Sequence, residues 1–573
     1  MTFTGVMPAV AGTALLALFA PALAQVPALQ TQVPTRDEIT RPVAPPPQPA
    51  PRLKVEGGLE RSPCPLADPQ YAAIKVTVRT VRFNGLRPED EAAVTPSYAR
   101  FVGSDRPVSD ICEIRDAAAT ALRQKGYLAA VQVPTQQIEN GEVAFEVRYA
   151  RLTQIRVRGN AGASERLVAG YLSKLTEQPV FNQLEAERYL LLARDLPGLD
   201  VNLSLKPAGA PGELYGEVTL IRTPVSADLN IQNLAADETG RFGGQARVQF
   251  NGLTGLGDQT SIAFYSTADF REQRVLQLGH DFRLGAEGLQ LGGHFTYAWT
   301  HPSLRGQPDL IRARTLFANA EARYPLLRGL GATLYAAGGL DVVNQTVRFA
   351  GTPIARDRLR VGYLKLEGDV LDRDGTPTPR WHGAFSLELR QGLNIFNATE
   401  RPPFPATMVP PSRIDGDARG TLVRGAASGE FSIVPNVTLA LTATGQKSFD
   451  PLLSFEEYSA GNYTIGRGYD PGTLLGDDGL GFSIEARLDR VVLSRSATLQ
   501  PFVFAEAAKV WNRNGYGDDR LISVGGGVRT AIAGRFRLDL TLAVPTVRAG
   551  LTDRKPDPRL LLSLTTRLWP WSN

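Results

Sequence analysis

The side chains in this sequence that could carry chemistry are a caged cation, an acidic strand face, two thiols and a few imidazoles. Within the glycine-punctuated stretch 449–478, the octet IGRGYDPG at 465–472 sets Arg467 between Gly466 and Gly468, followed by Tyr469. The glycines permit a tight backbone around the cation, and Tyr469 supplies a packing surface. Downstream, QPFVFAEAAKVW puts Phe502, Phe504 and Glu506 on one face at period two. These groups suit charge pairing and packing rather than group transfer. His280, His294, His301 and His382 are scattered, and none has the i,i+4 partner that zinc would use. Asp372-Arg-Asp374-Gly375 opens like a calcium loop, but Gly383 stands where the twelfth-position Glu is needed, so a solvated turn is expected. No Gly-x-Ser-x-Gly elbow or phosphate-cradling loop is present. No metal and no cofactor are expected, and a conduit fits four His and two Cys better than an enzyme.

The elements that position these residues follow from composition and period. The chain has 573 residues, 43% hydrophobic and 21% charged, with 62 Lys+Arg against 58 Asp+Glu. That near balance gives no reason to expect nucleic acid as a partner. A mean hydropathy of −0.14 excludes a bundle of membrane helices. It does not exclude a β-barrel, in which only every second strand residue faces lipid. Such alternation fills the chain after Thr223. Phe482, Ile484, Ala486 and Leu488 alternate with Ser483, Glu485, Arg487 and Asp489. Phe385, Leu387 and Leu389 alternate with Ser386, Glu388 and Arg390. A soluble sandwich also alternates, but it rarely carries such charge along so many consecutive strands. Sixteen strands are expected, at 226–234, 241–250, 259–267, 273–284, 288–299, 313–325, 330–348, 358–371, 381–393, 419–433, 436–447, 479–490, 498–511, 520–531, 534–547 and 558–569. Closure would remove the unpaired edges that lipid does not tolerate. The last strand ends at Trp569, and Pro570-Trp571-Ser572-Asn573 overhangs it.

Upstream, residues 6–24 form an apolar run ending in Ala22-Leu23-Ala24, which reads as a cleaved secretory signal, 1–24. A membrane anchor is the alternative, against which Pro8 and Pro21 break a full-length helix. Export would place Cys64 and Cys112 in an oxidising compartment, where a disulfide is expected ahead of two free buried thiols. Residues 25–70 are Pro/Gln-rich and read as a linker, with one or two helical turns allowed at 35–41. Two units then repeat the order β-α-α-β-β, at 71–150 and 151–223. The first carries a helix at 110–125 closed by Gly126. In the second, Asn182 caps a helix with Glu185 at the capping-box position.

ALRQKGYLAAVQVPTQQIENGEVAFEVRYARLTQIRVRGN and FNQLEAERYLLLARDLPGLDVNLSLKPAGAPGELYGEVTL resemble the paired POTRA domains of two-partner-secretion transporters of the TpsB (ShlB/FhaC) type. Arg467, Gly468 and Tyr469 match that family's Val-Arg-Gly-Tyr/Phe loop motif, with Gly466 at the Val position. Phe504, Glu506 and Ala508 resemble its Phe-x-Asp-x-Gly strand motif, with Glu for Asp and Ala for Gly. The resemblance implies two periplasmic POTRA domains followed by a 16-stranded antiparallel transmembrane β-barrel at 224–573, with loop 449–478 folded back into its lumen. It also implies that 25–70 holds a plug helix. A lumenal arginine needs an acidic partner, so a bidentate Arg467–Glu506 clamp is expected to hold the loop. The implied function is an outer-membrane pore that binds an unfolded exoprotein in the periplasm and moves it to the cell surface without nucleotide hydrolysis. Its implied partners are outer-membrane lipid and a large β-helical adhesin or haemolysin-like passenger. A barrel-assembly insertase of the same superfamily is the alternative. A passive porin has no reason to carry POTRA modules, and an outer-membrane hydrolase is disfavoured.

Overall fold

The computed structural model describes residues 34–40, 54–55, 64–71, 73–210 and 212–570, except 304–309, 373–379, 402, 406–407, 495, 514–516 and 551–553. The expected signal 1–24, most of the Pro-rich segment, and Asp374 and Gly375 of the calcium-like turn lie outside the described residues.

Sixteen antiparallel strands close into a barrel. They are β1 Val225–Gln232, β2 Gly243–Asn251, β3 Gln259–Thr267, β4 Gln273–Leu284, β5 Leu289–Thr300, β6 Ile311–Arg328, β7 Ala332–Phe349, β8 Thr352–Leu371, β9 Trp381–Gly392, β10 Thr421–Val434, β11 Val437–Ser448, β12 Asp478–Leu488 (continued by Val491–Ser494), β13 Ala497–Trp511, β14 Asp518–Ile532, β15 Phe536–Pro545 and β16 Arg559–Trp569. Each overlaps one expected stretch. The largest departure is β8, which starts at Thr352 rather than 358. There Ala350 and Gly351, at φ 45° and 86°, make a two-residue turn that keeps β7 and β8 paired through polar sequence. β1 pairs β16 from Ala227 opposite Trp569 to Gln232 opposite Ser563, which closes the ring. The alternation sorts as lipid and lumen require: Phe482 and Ile484 are 52% and 46% exposed, whereas Glu485 between strands' inner faces is 4% exposed.

Two α/β modules precede the barrel. In the first, Thr80–Asn84 runs parallel to Glu142–Tyr149, which pairs antiparallel with Ala129–Gln132. Ile111, Ile114, Ala118 and Leu122 of helix Asp110–Gln124 bury against Val143 and Phe145 of that sheet. Gly126 ends the helix at φ 89°, with Tyr127 N–H bonded to Leu122 C=O. A disulfide joins Cys64 to Cys112 in the helix's first turn, with Cα atoms 6.0 Å apart. Asp90 is fully buried and accepts from the Tyr149 hydroxyl at 2.7 Å, Arg87 Nε at 3.0 Å and Lys125 Nζ at 3.1 Å.

The second module pairs Arg151–Arg158, Glu213–Arg222 and Leu199–Pro207 in one sheet beneath helices Glu165–Glu177 and Gln183–Arg194. Asn182 Oδ1 accepts from Leu184 and Glu185 N–H, which starts the latter helix. Lys54–Val55 adds a parallel strand at the Leu199–Pro207 edge, so part of the expected linker is ordered on this sheet. The module docks on the barrel through Asp195. Its carboxylate takes both Arg328 Nε and Nη2 at 2.8 Å, and its carbonyl accepts from Arg283.

A third ordered piece lies inside the barrel. Helix Arg36–Thr40 opens on Thr35, whose N–H bonds Glu38 Oε2 at 2.6 Å while its hydroxyl accepts from Glu38 N–H. Ile39 is fully buried among Tyr265, Val275, Phe317, Val343 and Phe455, which face the lumen or line the folded-in loop.

Two outcomes follow from the first module. Closing a loop of 48 residues contributes roughly 4 kcal/mol in the chain-entropy model, so Cys64→Ser/Cys112→Ser should speed amide exchange across 110–124 by about two to three orders of magnitude. Burial would raise the Asp90 carboxyl, but bonds from Tyr149, Lys125 and Arg87 outweigh it and hold it below the usual carboxylate range. Its stabilisation is therefore complete above about pH 4 and is lost as pH falls through the depressed folded value. Urea midpoints of this module should fall with acidification in the wild type and follow a flatter acid limb in Asp90→Asn.

Candidate functional site

The stretch between β11 and β12 turns inward rather than out to solvent. Its two legs, Tyr458–Ala460 and Leu474–Gly476, pair antiparallel and carry the tip into the lumen. Gly461 N–H bonds Ile465 C=O and Tyr469 N–H bonds Gly466 C=O, so the tip is a compact double turn. Gly466 sits at φ 125°, where a side chain would also meet Leu521 at 2.7 Å. A Cβ on Gly468 would lie 2.9 Å from Pro545 N and 3.0 Å from Ser523 Cβ, so the backbone rests directly on β14 and β15.

β13 presents Phe502, Phe504, Glu506 and Ala508 to the lumen, all 4% or 5% exposed. Arg467 Nε donates to Glu506 Oε1 at 2.7 Å. The second oxygen, Oε2, accepts the backbone N–H of Arg467 at 2.8 Å and of Gly466 at 3.1 Å. Ser483 and Ser523 hydroxyls complete the carboxylate's partners at 3.3 and 3.1 Å. The arrangement differs from a guanidinium fork. The longer Glu turns one oxygen to the loop backbone, and Arg467 Nη1 reaches instead to Glu485 Oε2 at 2.8 Å. The guanidinium carbon stacks 3.6 Å from the centroid of Phe504. Tyr469 is fully buried, its hydroxyl 2.7 Å from Val547 C=O and 3.0 Å from Ile522 C=O. It shares a cluster with Ala508 and Leu521, so the tip packs by shape as well as by charge.

Three charged knots were not singled out from the sequence. Glu485 accepts from Arg467, from Arg487 Nε at 2.6 Å and from Arg529 Nη1 at 2.7 Å. Its place in the polar row of β12 put it on the lumenal face, but no local pattern says which arginines converge there. A second charged knot lies at the root of the same loop. Arg390, 1% exposed, bonds Glu456 through Nε at 2.8 Å and Asp341 through Nη2 at 2.7 Å, and also pairs Glu388. Arg36 of the lumenal helix joins it, 3.4 Å from Asp341 and 3.7 Å from Glu456. A third ties the loop 393–420 to the same root: Arg413 pairs Glu457 and Asp477, each at 2.7 Å. Helix, folded-in loop and strand wall thus share ion pairs. Among the described residues, no group of three or more His, Cys, Asp and Glu side chains is arranged to hold a metal.

Because Gly468 has no room for a side chain, Gly468→Val should lift the tip off β14 and β15. Trypsin should then cut folded barrels at Arg467, which the wild-type protein resists.

Comparison with known proteins bears on what this arrangement belongs to. A family model described as POTRA domain, ShlB-type, matches residues 76–148, the first module. Heme/hemopexin transporter protein HuxB of Haemophilus influenzae (strain 86-028NP) is 22% identical over 466 residues, covering 78% of this chain and 79% of HuxB. The structure of CdiB from Escherichia coli superposes with a TM-score of 0.70 at 17% identity, covering 89% of this chain and 94% of that one. CdiB from Acinetobacter baumannii gives 0.63 at 18% identity, covering 96% and 98%. The family model described as haemolysin secretion/activation protein ShlB/FhaC/HecB matches residues 220–530, more than half of the chain. With its barrel in the outer membrane and its POTRA domain in the periplasm, the chain belongs to that family and is a transporter of a secreted protein.

Proposed function

We propose that this transporter threads one large exoprotein, unfolded, through the barrel lumen, and that the Arg467–Glu506 pair holds the inward loop in its resting place. The observation that carries the reading is the shared set of ion pairs. Strand wall, loop root and lumenal helix meet at Arg390, Glu456, Asp341 and Arg36, so the parts that fill the lumen are held by bonds that can exchange. In this reading both α/β modules are POTRA domains, and they take hold of the passenger before it enters. An extended segment adding to a sheet edge or a helix–strand groove is the physical route. The passenger class is a β-helical adhesin or haemolysin-like protein, and the barrel's apolar band contacts outer-membrane lipid. The chain performs no reaction of its own. Passenger binding and folding outside supply the bias that nucleotide hydrolysis supplies elsewhere.

Deleting the gene should remove a single protein from the medium and leave other outer-membrane barrels at their normal level. Broad loss of barrels would instead support an insertase. Breaking a buried charge pair costs roughly 3–5 kcal/mol. Arg467→Ala and Glu506→Ala should therefore each lower secretion of that protein at least tenfold, with barrels that still assemble and shift on heating. Secretion at wild-type level in both variants would remove the pair's functional role.

A further inference from the structure

With helix and loop seated, the lumen retains a cavity of about 490 Å³ against the β1–β4 and β16 wall. That wall contributes Asn230, Gln232, Gln245, Gln273, Gln277 and the hydroxyls of Ser563 and Thr565, and no charged side chain. The charges at its rim come from elsewhere: Glu38 of the helix, Arg467 of the loop, and Arg529, Arg537 and Asp539 of β14 and β15. Two buried amide oxygens among these side chains have no hydrogen-bond partner. Asn230 is 2% exposed and spends its Nδ2 on Ser563 and Thr565 at 3.0 and 2.9 Å, while its Oδ1 has no partner. Gln245 is 6% exposed and donates to Gln277 Oε1 at 2.9 Å, while its own Oε1 has no partner. These two residues face each other across β1 and β2. Gln277 in turn donates to the main-chain carbonyl of Ile39 at 2.8 Å.

We propose that this cavity is a main-chain track for an extended polypeptide, in which Asn230 and Gln245 accept its N–H groups and Gln277 donates to its carbonyls. The structure already seats one peptide carbonyl there, that of Ile39, so the passenger takes a bond that the lumenal helix gives up. Carboxamides both donate and accept, as the peptide group does, so the track serves any sequence. Same-side N–H groups of a strand recur at about 7 Å, so an advancing extended chain brings successive peptide groups past the same side chains. The inference rests on the threading reading above and specifies which part of the lumen the passenger touches.

Single-channel recording tests it, with the full chain in planar lipid bilayers and a neutral (Gly-Ser)10 peptide as probe on the periplasmic side. The probe offers main chain and almost no side chain. Its current interruptions should shorten on the order of tenfold in Gln245→Leu/Gln277→Leu, which removes two neutral hydrogen-bonding side chains. Polyethylene glycol of matched size accepts but does not donate, and should interrupt briefly and equally in both proteins. Glu367→Gln, on the lumenal face of the far wall in β8, should leave the peptide's dwell time unchanged. Should the double variant not assemble, Gln277→Glu, which exchanges the donor for a carboxylate, must shorten the dwell instead. Dwell times that match the wild type overturn the track and leave the pore reading standing. A folded protein that never carries current overturns both.

Discussion

A carboxylate taken out of water must have its lone pairs filled, or it costs several kcal/mol more than it returns. At Glu506 every direction is filled. One oxygen takes a guanidinium N–H and a serine hydroxyl, and the other takes two consecutive backbone N–H groups and a second serine. The backbone pair matters most for geometry. Two successive N–H groups point at one acceptor only when the chain turns sharply there, and Gly466 at φ 125° provides that turn. The carboxylate therefore fixes a backbone conformation as well as a side-chain position. Glycine, arginine and glutamate act as one unit, and the legs of the loop, the packing of Tyr469 and the closeness of Gly468 to Pro545 all follow from where that unit sits.

The remaining lumenal charges are arranged so that no part is held by one bond alone. Glu485 serves Arg467, Arg487 and Arg529, while Arg390 serves Glu456, Asp341 and Glu388. In the threading reading Arg36 leaves with the helix, and Asp341 and Glu456 keep Arg390. The departure removes a cation without stranding an anion, which keeps its electrostatic cost well below that of breaking an isolated buried pair. The periplasmic end is different in kind. Asp195 meets Arg328 through two parallel N–H···O bonds, a geometry that resists rotation as well as separation, and so fixes the second module against the barrel turns.

Much of this was legible in the sequence because period two is a direct image of an interface with lipid on one side and water on the other. A one-residue slip would put Glu485 or Arg390 into hydrocarbon, so the strands had to register as they do. Turns set by glycine and asparagine were equally plain, as at Gly126 and Asn182. Long-range pairing was not. Arg390 and Glu456 are 66 residues apart, and Arg36 and Asp341 are 305 apart. Nothing local distinguishes Glu485 from the other acids on lumenal faces. The Thr35–Glu38 capping box could be read as a helix start, but its seat depends on an apolar pocket built from distant strands around Ile39. Lys54–Val55 carries too few residues to announce a strand, because its partner edge supplies the register.

In the threading reading, the charged knots and the amide-lined cavity answer to different needs. Parts that are held at rest gain from charge-assisted bonds worth about 1.5–3 kcal/mol each, and the knots at Glu506, Glu485 and Arg390 are built from these. A moving chain has the opposite need. Every 1.4 kcal/mol of extra binding lengthens each stop about tenfold, so a lumen lined throughout with arginine and glutamate would hold a passenger at each step. Neutral amides, at about 1 kcal/mol net per bond, satisfy a dehydrated peptide group without trapping it. An entirely apolar wall would fail for the reverse reason, since each unpaired N–H would meet a desolvation barrier. Asn230, Gln245 and Gln277 lie between these limits, lining the lumenal cavity.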